Sequence, residues 1–359
     1  MHVLSHVEAG GPSPGLIWRE QAQQRARDLL DAGRDRVARA TGRTWPALKA
    51  EWRAFVSARC AGLRDFAGQP IHPRCVSEFA GDGFRAQNIV FESMPGWQVG
   101  LNLFLPPGDG PFIPVICPCG HGAKWLPEHQ TAPQALARRG FAAALFDMPM
   151  FGEKTRHNDH FIQGSQAGMA GLWSNLFFLV DAVRVADYLQ TRDDIDFSRG
   201  MGVTGVSGGG FATLFMGIID SRATALAPVC CVAPLGGHVI DGLYTGCPET
   251  CMTGQAALGL DFDHLLCLCA PKPCLVVNGA QDELFRPEQV NQAVAQARRV
   301  YEIEGAPERL DQFTEDSPHT YTAGMAEQVA GWFHRWLGSG SAAQSNLLSL
   351  DKTMSCVSK

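Results

Sequence analysis

A serine with a glycine two positions before it and another two positions after it stands where an apolar strand pattern gives way to a helical one. The run MGVTGVSGGGFATLF contains Gly205, Ser207 and Gly209 in the spacing GxSxG. In such an arrangement the serine occupies a sharp strand-to-helix turn, and the glycines let neighbouring backbone approach without a Cβ clash. Because this turn would hold the hydroxyl group out toward a substrate, the sequence predicts Ser207 as a catalytic nucleophile.

A nucleophilic serine needs a base that accepts its proton and an acid that orients the base. The segment PCLVVNGAQDELF predicts a buried strand followed by a turn that carries Asp282. His319 lies farther on, in FTEDSPHTY, after the last predicted strand and before the last predicted helix. The chain order serine, aspartate, histidine is the one expected when the acid follows a late strand of a parallel sheet. Alternatives remain open for the acid at Glu283 and Asp316, and for the base at His121, His160 and His238.

Backbone amides for a developing oxyanion come from two places in the sequence. The amide of Gly208, which directly follows the serine, is the first predicted donor. The run FIPVICPCGHGAKW predicts a strand that ends in an open glycine-containing loop, and the amide of Gly122 or Ala123 in that loop is the second. His121 in the same loop is expected to shape the loop rather than to carry protons.

Aromatic residues near these loops are candidates for the wall of a substrate pocket, because such walls are mostly apolar. Trp125, Phe151 and Trp173 are the candidates, together with His121, and packing in the core is the equally open alternative. Asp147, at the end of the strand GFAAALFDM, is expected to form a turn and to hydrogen-bond its loop.

The elements that must position these residues alternate along most of the chain. Residues 84–337 predict an antiparallel hairpin followed by strands and helices in turn, which is the pattern of an α/β fold with a mostly parallel, eight-stranded sheet and helices on both faces. Residues 1–83 predict an N-terminal helical extension with two amphipathic helices, between residue 16 and about residue 66. Residues 338–359 have many turn-forming residues and no sustained period, so we expect a flexible C-terminal tail.

Composition restricts the class of protein. The formal net charge is −6 without any block of lysine or arginine, so we expect no nucleic acid and no membrane as partner. The start, MHVLSHVEAGGPSPG, lacks the basic and apolar regions of a secretory signal, which predicts a cytoplasmic location. The 12 cysteines show no metal-binding spacing and are expected to act as small apolar residues. For Cys247 and Cys251, a structural role is favoured over a disulfide or a metal pair.

Several of these segments together resemble one known superfamily. The runs GHG, LARRGFAAALFDMPMFGEK, VADYLQTRDDIDFSRGMGVTGVSGGG and APKPCLVVNGAQDELF are similar to the α/β-hydrolase superfamily, in particular to its acetyl xylan esterase-like and dienelactone hydrolase-like branch. The resemblance covers about residues 84–336. It implies a serine hydrolase, commonly a carboxylesterase, with no metal and no organic cofactor. Position by position, it implies Ser207 as nucleophile, Asp282 as acid and His319 as base.

The favoured function is therefore hydrolysis of a carboxylic ester in a small acylated molecule, through an acyl-enzyme on the serine. One alternative uses the same three residues on a lactone, an amide or a carbon–carbon bond, or for acyl transfer. A non-catalytic binding protein is a third. The apolar faces of the N-terminal helices leave a homodimer contact and packing on the core as two open interpretations.

Overall fold

The structure is a computed structural model that describes residues 14–66, 69–154, 160–242 and 247–338. Strands and helices alternate over most of this length, as the sequence predicts. The strands are β1 (Arg74–Gly81), β2 (Phe84–Met94), β3 (Trp97–Leu105), β4 (Ile113–Pro118), β5 (Phe141–Phe146), β6 (Met201–Val206), β7 (Ala223–Val229), β8 (Cys274–Gly279) and β9 (Leu310–Glu315). The α-helices are α1 (Pro14–Ala38), α2 (Trp45–Arg59), α3 (Pro127–Arg138), α4 (His160–Met169), α5 (Asn175–Gln190), α6 (Gly208–Ile219), α7 (Gly236–Asp241), α8 (His264–Cys269), α9 (Pro287–Ile303) and α10 (Ala323–Leu337).

All of these strands belong to one sheet, in the order β1-β2-β3-β5-β4-β6-β7-β8-β9. The pairs β1–β2, β2–β3 and β3–β5 are antiparallel, and the pairs from β5–β4 to β8–β9 are parallel. The sheet has nine strands within the described residues, one more than predicted. The additional strand is β1, at the edge of the sheet, inside the segment predicted as a helical extension. Seven of its eight residues are exposed, so neither face of this strand needs to be apolar. Its sequence therefore lacks the alternation of apolar and polar residues that predicts a strand.

Helices cover both faces of the sheet, as predicted. Strand β8 shows the division, because Val276 contributes to the core on one face and Val277 to the core on the other. Helices α3 and α10 pack on the second of these faces, whereas α5, α6, α8 and α9 pack on the first. Strands β4 to β8 are thus enclosed on both sides, which explains their nearly continuous apolar sequences. The carboxyl ends of the parallel strands all point to one edge of the sheet.

The two N-terminal helices share the main core. Trp52 of α2 is fully buried and stacks on His264 of α8 with 4.7 Å between the ring centroids. Its Nε1 donates a hydrogen bond of 3.1 Å to the carbonyl oxygen of Leu258. Trp45 is equally buried, and its Nε1 donates to Glu304 at 2.8 Å. The apolar side of α2 is therefore occupied within this chain, and a homodimer stays a prediction.

Three further expectations concern features outside the sheet. No helix among the described residues combines the length and the apolarity that crossing a bilayer requires. Cys247 and Cys251 do not form a disulfide. Of the tail predicted at 338–359, all but its first residue lies outside the described part of the chain.

Candidate active site

Ser207 lies in the turn between β6 and α6 with a backbone conformation that few residues other than glycine adopt. Its φ is 58° and its ψ is −119°. Such a conformation costs on the order of 1–3 kcal/mol and persists only where the surrounding structure enforces it. The amide of Ser207 donates to the carbonyl oxygen of Val229 at 2.9 Å, which ties the turn to the end of β7. A strained serine between a central strand and a helix is the geometry expected of a nucleophile.

The two glycines of the motif are required by one carbonyl group. A Cβ atom on Gly205 would lie 2.4 Å from the carbonyl oxygen of Pro118, and a Cβ atom on Gly209 would lie 2.1 Å from the same oxygen. Pro118 is the last residue of β4, which pairs with β6 in the middle of the sheet. The close backbone approach predicted from the glycine spacing is thus present, and β4 is the neighbour.

Asp282 and His319 are in direct contact. His319 Nδ1 lies 2.8 Å from Asp282 Oδ2, while Asp282 Oδ1 accepts hydrogen bonds from the amides of Leu284 at 2.9 Å and Phe285 at 3.0 Å. Burial opposes ionisation of this carboxyl group, but the hydrogen bond with His319 and the two amide donors outweigh burial and lower the pKa of Asp282. The imidazole of His319 also stacks on the ring of Phe285. Asp282 is therefore a carboxylate that is hydrogen-bonded to this imidazole.

Three of the five alternatives for acid and base are exposed or hydrogen-bonded to other side chains. Glu283 is exposed, and Asp316 is exposed and accepts a hydrogen bond from the side chain of Gln281. His238 pairs with the side chain of Gln289. Among the described carboxylates, only Asp282 is hydrogen-bonded to His319.

The serine and the Asp282–His319 pair occupy the same edge of the sheet. Ser207 follows β6, Cys230 follows β7, and Asp282 follows β8, and these three strands are neighbours. The sulfur of Cys230 and the facing atoms of Asp282 and His319 all lie within 4.8 Å of one another. No hydrogen bond joins the Ser207 hydroxyl to His319 among the described residues. Burial, with the charge of Asp282, raises the pKa of Cys230 to about 12, so this thiol stays protonated at neutral pH.

The loop predicted to supply an oxyanion donor, residues 119–124 after β4 and called the oxyanion loop below, differs in one respect from the prediction. The amide of Gly122 donates to the carbonyl oxygen of Gly120 at 2.9 Å, so this amide is occupied and Gly122 is not a free donor. Because that bond spans only two residues, it forms a tight local turn that the residue types do not reveal. The amides of Gly208, His121 and Ala123 have no acceptor among the described residues. Gly208 is also the first residue of α6, where the helix dipole favours negative charge.

A buried ion pair fixes the oxyanion loop to the loop after β5. Asp147 accepts hydrogen bonds from the amide and the ammonium group of Lys124, at 2.6 and 3.1 Å, and from the amide of Glu153 at 3.1 Å. Lys124 also forms an ion pair with the Glu153 carboxylate. Asp147 and Lys124 are nearly inaccessible to solvent. The expectation that Asp147 hydrogen-bonds its loop is confirmed, and its contacts extend to the neighbouring loop.

The predicted pocket residues have different environments. Trp125 has 59% of its surface exposed, whereas Trp173 is buried in the main core against Phe215. For Trp173 the structure therefore favours packing over a pocket wall. Phe151 and His121 contact each other edge to face, with 5.2 Å between their ring centroids. His121 also lies beside the turn that carries Ser207, called the nucleophile turn below, since a Cβ atom on Gly208 would be 3.5 Å from Cε1 of His121.

A second cluster of polar side chains lies next to this site and was missed from the sequence. His121 Nε2 lies 2.7 Å from Glu249 Oε1, and the ligand atoms of His121, His160, Cys247 and Glu249 all lie within 4.8 Å of one another. Burial lowers the pKa of His121, but its hydrogen bonds with Cys247 and Glu249 outweigh burial and raise this pKa to about 10. Apart from the pair Cys247 and Glu249, these residues are far apart in the chain, so no short sequence motif predicts that they form a cluster.

Comparisons with known proteins agree on the fold. No family model matches the chain. It is 24% identical over 174 residues to "Putative hydrolase YtaP" of Bacillus subtilis (strain 168), a match that covers 46% of this chain and only 54% of that protein. Among solved structures, Methylesterase BT1017 has a TM-score of 0.68 at 23% identity and is matched over 85% of this chain and 68% of its own.

Two other solved structures are similar over most of their length. A protein described as a "putative acetyl xylan esterase" from Bacteroides fragilis NCTC 9343 has a TM-score of 0.61 at 14% identity, with 88% of this chain and 89% of that chain covered. A glucuronoyl esterase from Solibacter usitatus has a TM-score of 0.57 at 16% identity, with 79% and 92% covered. Together with the sheet order and the strained serine turn, these similarities show that the chain has the α/β-hydrolase fold.

Proposed function

We propose that this protein is a serine carboxylesterase in which Ser207 is the nucleophile, His319 the base and Asp282 the acid that orients the base. One observation supports the proposal above all: Ser207 is held at φ 58° in the strand-to-helix turn, and the Asp282–His319 pair, hydrogen-bonded at 2.8 Å, follows a nearby strand at the same edge of the sheet. Strain of this kind is maintained only where neighbouring structure enforces it, and it occurs mostly at functional sites.

In the proposed reaction, His319 takes the hydroxyl proton of Ser207 through its Nε2 while the serine oxygen attacks the ester carbonyl carbon. Asp282 keeps a proton on Nδ1 and stabilises the imidazolium that forms. The amide of Gly208 and one amide of the oxyanion loop, that of His121 or Ala123, bind the oxyanion. The imidazolium then protonates the leaving alcohol, and a water molecule hydrolyses the acyl-enzyme by the reverse sequence of proton transfers.

The proposed substrates are esters of small acylated molecules, with carbohydrate esters as the first class to test. Similar structures support this class, because they are described as a methylesterase, a "putative acetyl xylan esterase" and a glucuronoyl esterase. The chain spans about half the length of the curated relative that it matches, so the natural substrate is part of the proposal.

A fluorophosphonate probe tests the nucleophile directly, since it labels an activated serine covalently. We expect one label per chain, located on Ser207 by peptide mass spectrometry, and neither labelling nor turnover of p-nitrophenyl acetate in Ser207→Ala. Ser198→Ala, at an exposed serine that precedes β6, is the matched control and should keep both. Labelling of another serine, or turnover retained in Ser207→Ala, would contradict the proposal.

A substrate series separates ester hydrolysis from the other reactions that the same three residues support. Initial rates are compared for p-nitrophenyl esters of increasing acyl length, an acetylated xylo-oligosaccharide, a methyl uronate, a lactone and an anilide. A steep fall in kcat/KM beyond acetyl supports a deacetylase. If the lactone or the anilide exceeds every ester in kcat/KM, the bond assignment is wrong although the three catalytic residues stand.

A further inference from the structure

The cluster of His121, His160, Cys247 and Glu249 brings together donor atoms from three separate segments. His121 belongs to the oxyanion loop, His160 is the first residue of α4, and the other two lie in the segment after α7. Cys247 and Glu249 are buried, and their side chains face the two imidazoles. Nothing in the proposed ester hydrolysis uses His160, Cys247 or Glu249.

We propose that these four side chains form a binding site for one Zn²⁺ ion, which joins α4 and the 247–249 segment to the oxyanion loop. Two imidazole nitrogens, one thiolate sulfur and one carboxylate oxygen are the donor types that Zn²⁺ takes in tetrahedral sites. Mg²⁺ and Ca²⁺ bind oxygen donors almost exclusively, so this donor set disfavours both ions. The thiolate and the carboxylate together balance the two charges of the ion, which matters in a site that is largely shielded from water.

The separations between the donors suit such an ion after small side-chain movements. Zinc–nitrogen and zinc–sulfur bond lengths place neighbouring donors of a tetrahedral site roughly 3.3–3.8 Å apart. The present donors lie within 4.8 Å of one another, and His121 Nε2 and Glu249 Oε1 are 2.7 Å apart. The closest pair must therefore separate by about 1 Å or less, and the widest pair must approach by a similar amount, which is within the reach of side-chain rotation.

An unsatisfied atom and an unfilled space support the same site. Nε2 of His160 is buried and has no hydrogen-bond partner among the described residues. Buried polar atoms are normally paired, so this nitrogen is available to a ligand. A small cavity beside it is lined by His160 and Glu249, with Met148, Pro149 and Phe178 as neighbours.

The proposed ion has a structural role. Four protein donors complete a tetrahedral shell and leave no position for a substrate or a water molecule. His121 packs beside Gly208 on one side and reaches Glu249 on the other, so the ion would fix the loop whose amides are proposed to bind the oxyanion. Because the site is defined by metal binding, its test does not depend on ester hydrolysis.

The test uses the full-length protein after removal of metals with a chelator and dialysis. Calorimetric titration with ZnCl₂ should give one Zn²⁺ per chain, and CoCl₂ should give the intense thiolate-to-cobalt absorption band that only a sulfur ligand produces. Cys247→Ala should abolish that band and weaken Zn²⁺ binding by more than about 100-fold, beyond the roughly 10- to 100-fold expected when a group that merely supports a ligand is removed. Cys251→Ala, a nearby cysteine outside the cluster, is the matched control and should bind like the unmodified protein.

A second set of variants covers the case in which Cys247→Ala fails to fold. Glu249→Gln preserves the shape of the side chain and His160→Gln approximately preserves its length, and each should weaken Zn²⁺ binding while the circular dichroism spectrum is unchanged. Zn²⁺ should also raise the unfolding temperature of the unmodified protein but not that of the folded variants. The proposal is overturned if the metal-free protein binds no Zn²⁺, or if it binds with an affinity that none of these substitutions alters.

Discussion

Replacing Asp282 by asparagine tests the geometry of the proposed acid and base with almost no change of shape. Asp282 Oδ1 accepts two backbone amides, from Leu284 and Phe285, and Oδ2 faces His319 Nδ1. In Asp282→Asn the side-chain oxygen is expected to keep the two amide donors, which places the NH₂ group opposite His319. That group donates a hydrogen bond, so Nδ1 must become the acceptor and the proton must move to Nε2. Nε2, the nitrogen that would face Ser207, then has no lone pair with which to accept the proton of the serine.

The size of the effect follows from what the opposite orientation would lose. If the asparagine turned its oxygen toward His319, two backbone donors would lose their acceptor, at a net cost of about 1 kcal/mol each or somewhat more because the donors stay unsatisfied. A difference of about 2–3 kcal/mol leaves on the order of 1% of molecules in the competent orientation. Loss of the carboxylate charge beside the imidazolium lowers the rate further. We therefore expect kcat to fall by between about 10² and 10⁴, the upper value being the loss known for the same exchange in a serine protease.

The assay is kcat for p-nitrophenyl acetate, measured with the rate of fluorophosphonate labelling and the urea unfolding curve. Glu283→Gln, the exposed neighbouring carboxylate, is the matched control and should keep full activity. A kcat for Asp282→Asn within tenfold of the unmodified enzyme, with a normal unfolding curve, would refute the reasoning. The lowered pKa of Asp282 adds a stability test, because its contribution is present above the pKa of the unfolded carboxyl group and is lost as the pH falls through the lower, folded value. The stability difference between the two proteins should therefore be largest near neutral pH and vanish in acid.

Three other substitutions test the packing around the site and the core. Burial raises the pKa of Asp263 to about 6, so Asp263→Asn should raise the free energy of unfolding by up to about 3 kcal/mol at pH 8. This gain should disappear below about pH 4, where the aspartate is protonated in both the folded and the unfolded state. Urea unfolding at several pH values measures the gain, and an equal gain at every pH would exclude ionisation of Asp263 as its cause. Gly209→Ala places a Cβ atom 2.1 Å from a carbonyl oxygen and should abolish fluorophosphonate labelling, so a normally labelled variant would show that the turn is looser than described. Gly331 lies in the middle of α10 with open space at the Cβ position, so Gly331→Ala should raise the free energy of unfolding by about 0.5–1 kcal/mol. If urea unfolding shows a lower free energy of unfolding instead, the space at this position is not open.

The parts of the site that could be predicted from the sequence are those specified by short segments. The nucleophile turn follows from one strand, one serine and glycines on either side of it, all within a few residues. Asp282 follows directly from the buried strand β8, and His319 from its place between the last strand and the last helix. In each case the residue follows the carboxyl end of a strand, and the carboxyl ends of parallel strands lie at the same edge of a sheet.

The parts that could not be predicted depend on contacts between distant segments or on local turns without a sequence signature. The sequence disfavours Cys247 as a metal ligand because no partner has a matching spacing, whereas the fold brings His121 and His160 close to it. Gly122 was expected to present its amide, but a tight turn directs that amide to Gly120. Strand β1 escaped detection because an exposed edge strand needs no apolar pattern.

The nucleophile turn depends on backbone contacts more than on side chains, which limits how its sequence can vary. The carbonyl group of Pro118 leaves no space for a Cβ atom on either glycine of the motif, and Val206 O restricts Gly120 in the same way, because a Cβ atom there would lie 2.6 Å away. β4 and β6 are neighbours near the centre of the sheet, so the turn cannot relax without separating paired strands. The strain at Ser207 is therefore balanced by the burial of the two strands. This is why the glycines could be recognised from the sequence as parts of the site, whereas an aromatic residue such as Trp173 has no such backbone requirement and could not be told apart from a pocket residue.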